Sequence, residues 1–134
     1  MLKSKVLAIG AGGNNAGISL LKLGLIQKDS ILLVNSTAKA IPVEYEDIAA
    51  IYKRAFGGAA KERSAAKELC LDALRNDKDF VSKVDSFISP DTEMLFIVTT
   101  TSGGTGSGST PVLAKYFRVL PRNRSKLYSS VYFK

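Results

Sequence analysis

Between the apolar run Met94–Thr99 and a second apolar stretch that starts at Pro111 lies the segment Thr100-Thr101-Ser102-Gly103-Gly104-Thr105-Gly106-Ser107-Gly108-Ser109-Thr110. Glycines alternate there with hydroxyl residues, so the main chain can come close to an anion and offer consecutive N–H donors with O–H donors beside them. Phosphate is the ligand chemistry that suits such a segment. A flexible linker of this composition would not be set between a buried strand and an apolar helix. The segment is not a Walker A loop, because Ser109 stands where the lysine would be. Pro111 is expected in the first turn of the following helix, where proline is tolerated. Ser109 is expected to contribute little to binding.

Two further small-residue segments could serve the same anion. Gly10-Ala11-Gly12-Gly13-Asn14-Asn15-Ala16-Gly17 follows the apolar run Val6–Ile9 and opens a helix, whose free N–H groups and dipole attract negative charge. It fails as a dinucleotide fingerprint: Asn15 replaces the third glycine, and Asn35 stands at the end of the second strand in place of a ribose-binding acid. A tight strand–helix turn without a ligand is the alternative reading of this segment. Phe56-Gly57-Gly58-Ala59-Ala60 precedes a helix expected to start near Lys61–Ser64, and by itself would equally suit a capping turn. In a doubly wound sheet, loops at the carboxyl ends of the strands converge on one crevice, which links the three.

Other chemistries are disfavoured by what the chain contains. It has no histidine, which argues against triad hydrolases and histidine-based zinc sites. No metal-ligating or catalytic set is assigned. The single Cys70 lies among apolar residues of a helical stretch and reads as a buried structural thiol. No apolar run approaches the roughly 18 residues of a spanning helix, and the amino terminus lacks a signal-peptide pattern, so a cytoplasmic protein is expected. The formal charge of +7 is unevenly placed: residues 1–114 carry 13 Lys/Arg against 12 Asp/Glu, and residues 115–134 carry six basic residues and no acid. The basicity belongs to the tail, from which at most weak, non-specific nucleic-acid binding is expected.

The elements that must position the glycine segments are short. Val6–Ile9, Ile31–Val34 and Met94–Thr99 read as buried parallel strands. Helical spacing follows at Ala16, Leu20 and Leu23, at Ala66, Leu69, Cys70, Ala73 and Leu74, and at Phe80, Val84, Phe87 and Ile88. Alternating strands and helices predict an α/β, Rossmann-like parallel sheet with helices on both faces. Ile48–Lys53 fits either a helical turn or a short edge strand. Lys126–Phe133 alternates weakly and could form a further strand, so residues 118–134 are either a basic tail or the last strand of one domain spanning 1–134.

Ser102-Gly103-Gly104-Thr105-Gly106-Ser107-Gly108 matches the signature of the tubulin/FtsZ family at every position, and Gly10–Gly17 resembles the family's glycine–asparagine loop. Asn35-Ser36-Thr37 is similar to its Asn-Thr element, and Gly57–Arg63 looks like the γ-phosphate loop of the plasmid- and phage-encoded branch. The resemblance runs in order from about residue 5 to residue 116. It implies GTP or GDP as ligand, with Mg2+. Carried over by position, Gly12, Gly13, Asn14 and Asn15 would contact the α/β-phosphates and base side, Gly104, Thr105, Gly106 and Ser107 would cradle the β/γ-phosphates, and Gly58, Ala59 and Ala60 would sense the γ-phosphate. Gly10, Ala11, Asn35, Gly57, Ser102 and Gly103 complete the nucleotide-binding residues that the resemblance implies.

The resemblance further implies a filament-forming, cytomotive GTPase whose partners are guanine nucleotide and other tubulin-like subunits. The family's central helix and the acidic loop that acts on a neighbour's GTP find no match in this sequence. Binding with little or no hydrolysis is therefore expected, and the nearest acids, Glu62 and Glu93, are expected at a helix start and a strand approach. A non-hydrolysing regulator that caps or docks on full-length filament subunits is the alternative function.

Overall fold

A computed structural model of the chain describes residues 3–36, 39, 41–52, 63–89, 91–100, 104–119 and 127–133, with side chains left undescribed at 63–66, 69, 104–108, 118–119 and 127–133. The chain order is β1 (Ser4–Ile9), α1 (Gly10–Lys22), β2 (Ile31–Asn35), β3 (Ala49–Ile51), α2 (Arg63–Asn76), α3 (Lys78–Phe87), β4 (Met94–Thr100), α4 (Gly104–Val119) and β5 (Leu127–Phe133). The five strands are parallel and lie in the order β3-β2-β1-β4-β5. The expected α/β sheet is thus present. Of the two readings of Ile48–Lys53, the edge strand is the one formed, at Ala49–Ile51, and Leu127–Phe133 supplies the strand at the opposite edge.

Strand periodicity divides the core in two. Leu7 and Ile9 of β1, Leu32 and Val34 of β2, and Leu95 and Ile97 of β4 face one side, where Cys70, Ala73, Phe80, Val84, Leu113 and Phe117 of α2, α3 and α4 cover them. Val6, Ala8, Ile31, Leu33 and Val98 face the other side, under Ile18 of α1. Burying each large aliphatic side chain contributes roughly 1.5–3 kcal/mol. Both sheet faces carry helices, which explains why the central strands read as near-continuous apolar runs.

Local signals set the helix ends. Asp77 separates α2 from α3 and caps α3 by accepting from the Phe80 N–H at 3.1 Å. At the end of α1, Gly24 adopts φ +73°, Gly24 N–H donates to Leu21 O and Leu25 N–H to Leu20 O, the paired bonds of a Schellman stop. The edge of β3 is engaged by Lys83 of α3, whose Nζ donates to Ala49 O at 2.6 Å.

Two sequence expectations about helix limits need correction. Gly10–Gly17 is not a loop before a helix but the first two turns of α1 itself. Likewise α4 begins at Gly104, inside the glycine–hydroxyl segment, which puts Pro111 in the helix interior rather than in its first turn. Glycine and proline discourage helix in isolation, yet packing overrides propensity at both places. Pro111 lacks the N–H that would bond the carbonyl of Ser107, leaving that group without its usual intrahelical donor.

Candidate functional site

The chain runs outward from β1 to β2 and β3, then returns past them so that β4 pairs with the other side of β1. The strand order therefore reverses between β1 and β4, the place where open α/β sheets form a ligand crevice at the strands' carboxyl ends. α1 leaves β1 directly at Gly10, and α4 starts four residues after β4 ends at Thr100. The two helices pack on opposite faces of the sheet, so both amino-terminal ends flank the same crevice. Each such end carries N–H groups without an intrahelical partner and the positive end of a helix dipole.

Close packing builds the β1–α1 side. Gly10 has φ +81°, a conformation that lets the chain turn from strand into helix without an intervening loop. A Cβ at Gly13 would stand 2.5 Å from the Val98 carbonyl oxygen, and one at Gly12 would stand 2.2 Å from Thr100 Cγ2. These glycines let α1 lie directly against the end of β4. Thr99 ties the same two strands, its hydroxyl donating to Ile9 O at 3.0 Å.

Asn14 and Asn35 form the floor. Both are buried. The Asn14 amide donates to Ala8 O at 2.8 Å and Val34 O at 3.2 Å, the Asn35 amide donates to Asn14 Oδ1 at 2.8 Å, and Asn35 Oδ1 accepts from the Ser36 N–H at 2.7 Å. Their side chains serve the strand ends. Of the first segment, Ala11 and Asn15 are exposed and Gly12 is partly so, while Gly10, Gly13 and Gly17 are buried.

On the β3 and β4 side, Gly104, Thr105, Gly106 and Ser107 form the first turn of α4. Gly57, Gly58, Ala59, Ala60, Ser102 and Gly103 lie outside the described residues. Sequence reasoning did not single out Tyr52, the residue after β3. It is fully buried, its N–H donates to Asn35 O at 3.2 Å, its ring meets Phe80 edge-on at 5.6 Å, and its hydroxyl lies 2.7 Å from Ser109 Oγ. Ser109 is consequently a buried structural group in α4. Cys70 is buried beside it, and burial pushes its thiol up to about 12, against a smaller opposing effect of the Ser109 contact. A polar aromatic at a strand's carboxyl end was the available signal for Tyr52. Glu93 accepts from the Lys3 N–H at 3.3 Å beside the start of β4, as expected of a strand approach, and Glu62 lies outside the described residues.

No protein-family model matches the sequence, and no curated protein matches it. The fold, however, matches solved structures across 98% of the chain. CetZ1 from Haloferax volcanii, solved as a GDP-bound monomer, superposes with TM-score 0.74 at 18% identity, and CetZ from Methanosaeta thermophila with 0.75 at 16%. The monomeric subunit of TubZ from Bacteriophage PhiKZ gives 0.72 at 18%. The chain has the tubulin/FtsZ fold. It spans 41%, 36% and 42% of those three proteins respectively. TubZ from PhiKZ has also been solved as a protofilament, with TM-score 0.69 and 20% identity to the tubulin-like chain described here. Among its described residues, no helix of this tubulin-like domain is long and apolar enough to cross a membrane.

Proposed function

We propose that this chain binds the phosphates of a guanine nucleotide in the crevice between β1 and β4, as the nucleotide-binding part of a filament-forming, tubulin-like GTPase. The observation that carries the reading is the convergence of two glycine-rich helix starts, Gly10 and Gly104, on neighbouring strand ends from opposite faces of the sheet. The donor set fits a polyphosphate: backbone N–H groups of Ala11, Gly12 and Gly104–Gly106 would hold the phosphate oxygens, the side chains of Asn15 and Ser107 would add donors, with Ser102 and Gly103 before α4 and Gly57–Ala60 toward the γ-phosphate. Asn14 and Asn35 would shape the floor from below. Neither helix start contributes an acid, so Mg2+ would be held chiefly by phosphate oxygens and water.

Guanine as the base, and filaments as the assembled form, are supported by the GDP-bound CetZ1 and the TubZ protofilament together with the residue resemblance. The bound nucleotide supplies the phosphoanhydride chemistry. Turnover needs a group that orients water over the γ-phosphate, and the residues at Gly10–Asn15, Asn35–Ser36 and Gly104–Ser107 include no acid or histidine. These 134 residues are therefore proposed to bind nucleotide with little hydrolysis. Titration of the purified chain with fluorescent GTP, ATP and NAD tests the reading. Saturable binding that favours GTP is expected; preference for ATP or NAD would remove the guanine assignment, and no binding to any would remove the site.

A further inference from the structure

On the face of the sheet covered by α2 and α4, the core reaches the surface in a groove of about 620 Å³ between these two helices. Leu71 and Leu74 of α2 and Val112 and Tyr116 of α4 form its apolar floor; Val112 is buried and the other three are half-buried at the margin of the core. Lys67, Arg75 and Lys115 stand exposed around it. Ion pairs among the described residues join Lys3 to Asp91 and Lys28 to Asp47, and no carboxylate among the described residues pairs with any of these three cations. No acid lines the groove.

We propose that this groove docks an acidic amphipathic helix from a partner protein. The residues on α2 run from Lys67 to Arg75, about 12 Å of helix at 1.5 Å per residue, which matches two turns of a bound helix with apolar anchors at i, i+3 or i+4, and i+7. Leucine-type anchors fit the apolar floor, and flanking carboxylates meet the three cations. A phosphate or nucleic-acid ligand would leave the floor unused. The surface is separate from the β1–β4 crevice and does not depend on what that crevice binds.

The test uses the full 134-residue chain and a fluorescein-labelled 14-residue helix bearing leucines at helical spacing with glutamates on both flanks. A second peptide carries lysine at each glutamate position. Anisotropy should show saturable binding of the glutamate peptide, weakened at least tenfold by the double variant Lys67→Glu/Lys115→Glu, which should instead take up the lysine peptide. Both substitutions are on exposed side chains, and circular dichroism checks that the fold is kept. Equal binding of the two peptides by the unmodified chain, or no effect of the double variant, would overturn the proposal. It would also be overturned if the double variant lost binding to phosphatidylglycerol vesicles or duplex DNA while the unmodified chain ignored the glutamate peptide.

Discussion

The side-chain oxygen of Asn14 accepts a hydrogen bond from the Asn35 amide at 2.8 Å, joining the second turn of α1 to the last residue of β2 beneath the crevice. The Asn14 amide meanwhile holds the carbonyls of Ala8 and Val34, so one side chain satisfies the ends of two adjacent strands. Removing it takes a hydrogen-bond partner from several buried polar groups, each such loss costing roughly 1–3 kcal/mol. Asn14→Ala is expected to lower the urea midpoint strongly, and Asn14→Asp more so, because a carboxylate would face two carbonyls. An unchanged midpoint in either variant would show that this network is idle.

The contact between Gly12 and Thr100 can be separated from that between Gly13 and Val98. Gly12→Ala drives its Cβ against the threonine methyl, whereas Gly13→Ala meets a main-chain oxygen. Thr100→Ser deletes the methyl and should recover a large part of the loss caused by Gly12→Ala, typical overpacking losses being about 1–3 kcal/mol. It should recover none of the loss caused by Gly13→Ala. A double-mutant cycle on unfolding free energies decides, and equal rescue of both would contradict the geometry.

How much could be read in the sequence follows from these same residues. β1, β2, β4, α2 and α3 were legible because their apolar spacing is local, whereas β3 and β5, short or weakly alternating, stayed open between two readings. The extents of α1 and α4 were not legible, because a run of glycines reads as a helix breaker. Gly13 and Gly17 are glycines within a helix because a Cβ there would strike Val98 O, Ile31 or Ala8, atoms of other elements. The roles of Asn14, Asn35 and Tyr52 were hidden for the same reason. Their partners belong to other elements, and residue type alone does not distinguish an amide aimed at a ligand from one aimed at a strand end.

Tyr52 and Ser109 offer a third measurement. Ser109→Ala leaves a buried tyrosine hydroxyl without its serine partner, and Tyr52→Phe leaves the serine without its tyrosine, so each is expected to cost about 1 kcal/mol or more. The double variant should cost less than the sum. Strict additivity in thermal or urea unfolding would mean the two groups act independently.

Cys70 gives a pH dependence with a defined sign. Its thiol, ordinarily near 9.0, is raised to about 12 in the folded chain mainly by burial. The folded state thus holds the proton longer than the unfolded one. This contribution is fully present below about pH 9 and is lost as pH rises toward 12, at about 1.4 kcal/mol per pH unit. The stability difference between wild type and Cys70→Ala should shrink across that window. At pH 8 a thiol reagent should label the native chain far more slowly than the denatured chain; comparable rates would contradict burial.

For the nucleotide site, Gly106→Val places a branched side chain in the first turn of α4 and is expected to abolish GTP binding while the unfolding transition remains cooperative. Phosphate release by the unmodified chain should stay near background at all protein concentrations. Turnover that climbs with concentration would mean that neighbouring copies supply an activating group, and the non-hydrolysing reading would fail.

The pairing of β1 with β4 has a consequence in time as well as in space. The hydroxyl of Thr99 reaches Ile9 across 90 residues of chain, whereas β1 meets β2 within the first quarter of the sequence. During synthesis the β1–β2 pair can form early, but one side of β1 must wait until β4 has emerged from the ribosome. Closing so long a loop carries an entropic penalty that only the finished contacts offset, and non-local parallel pairing is slow. The anion crevice therefore comes into existence only after the β1–β2 pair, and nucleotide binding by a nascent or refolding chain would report that β4 has docked on β1.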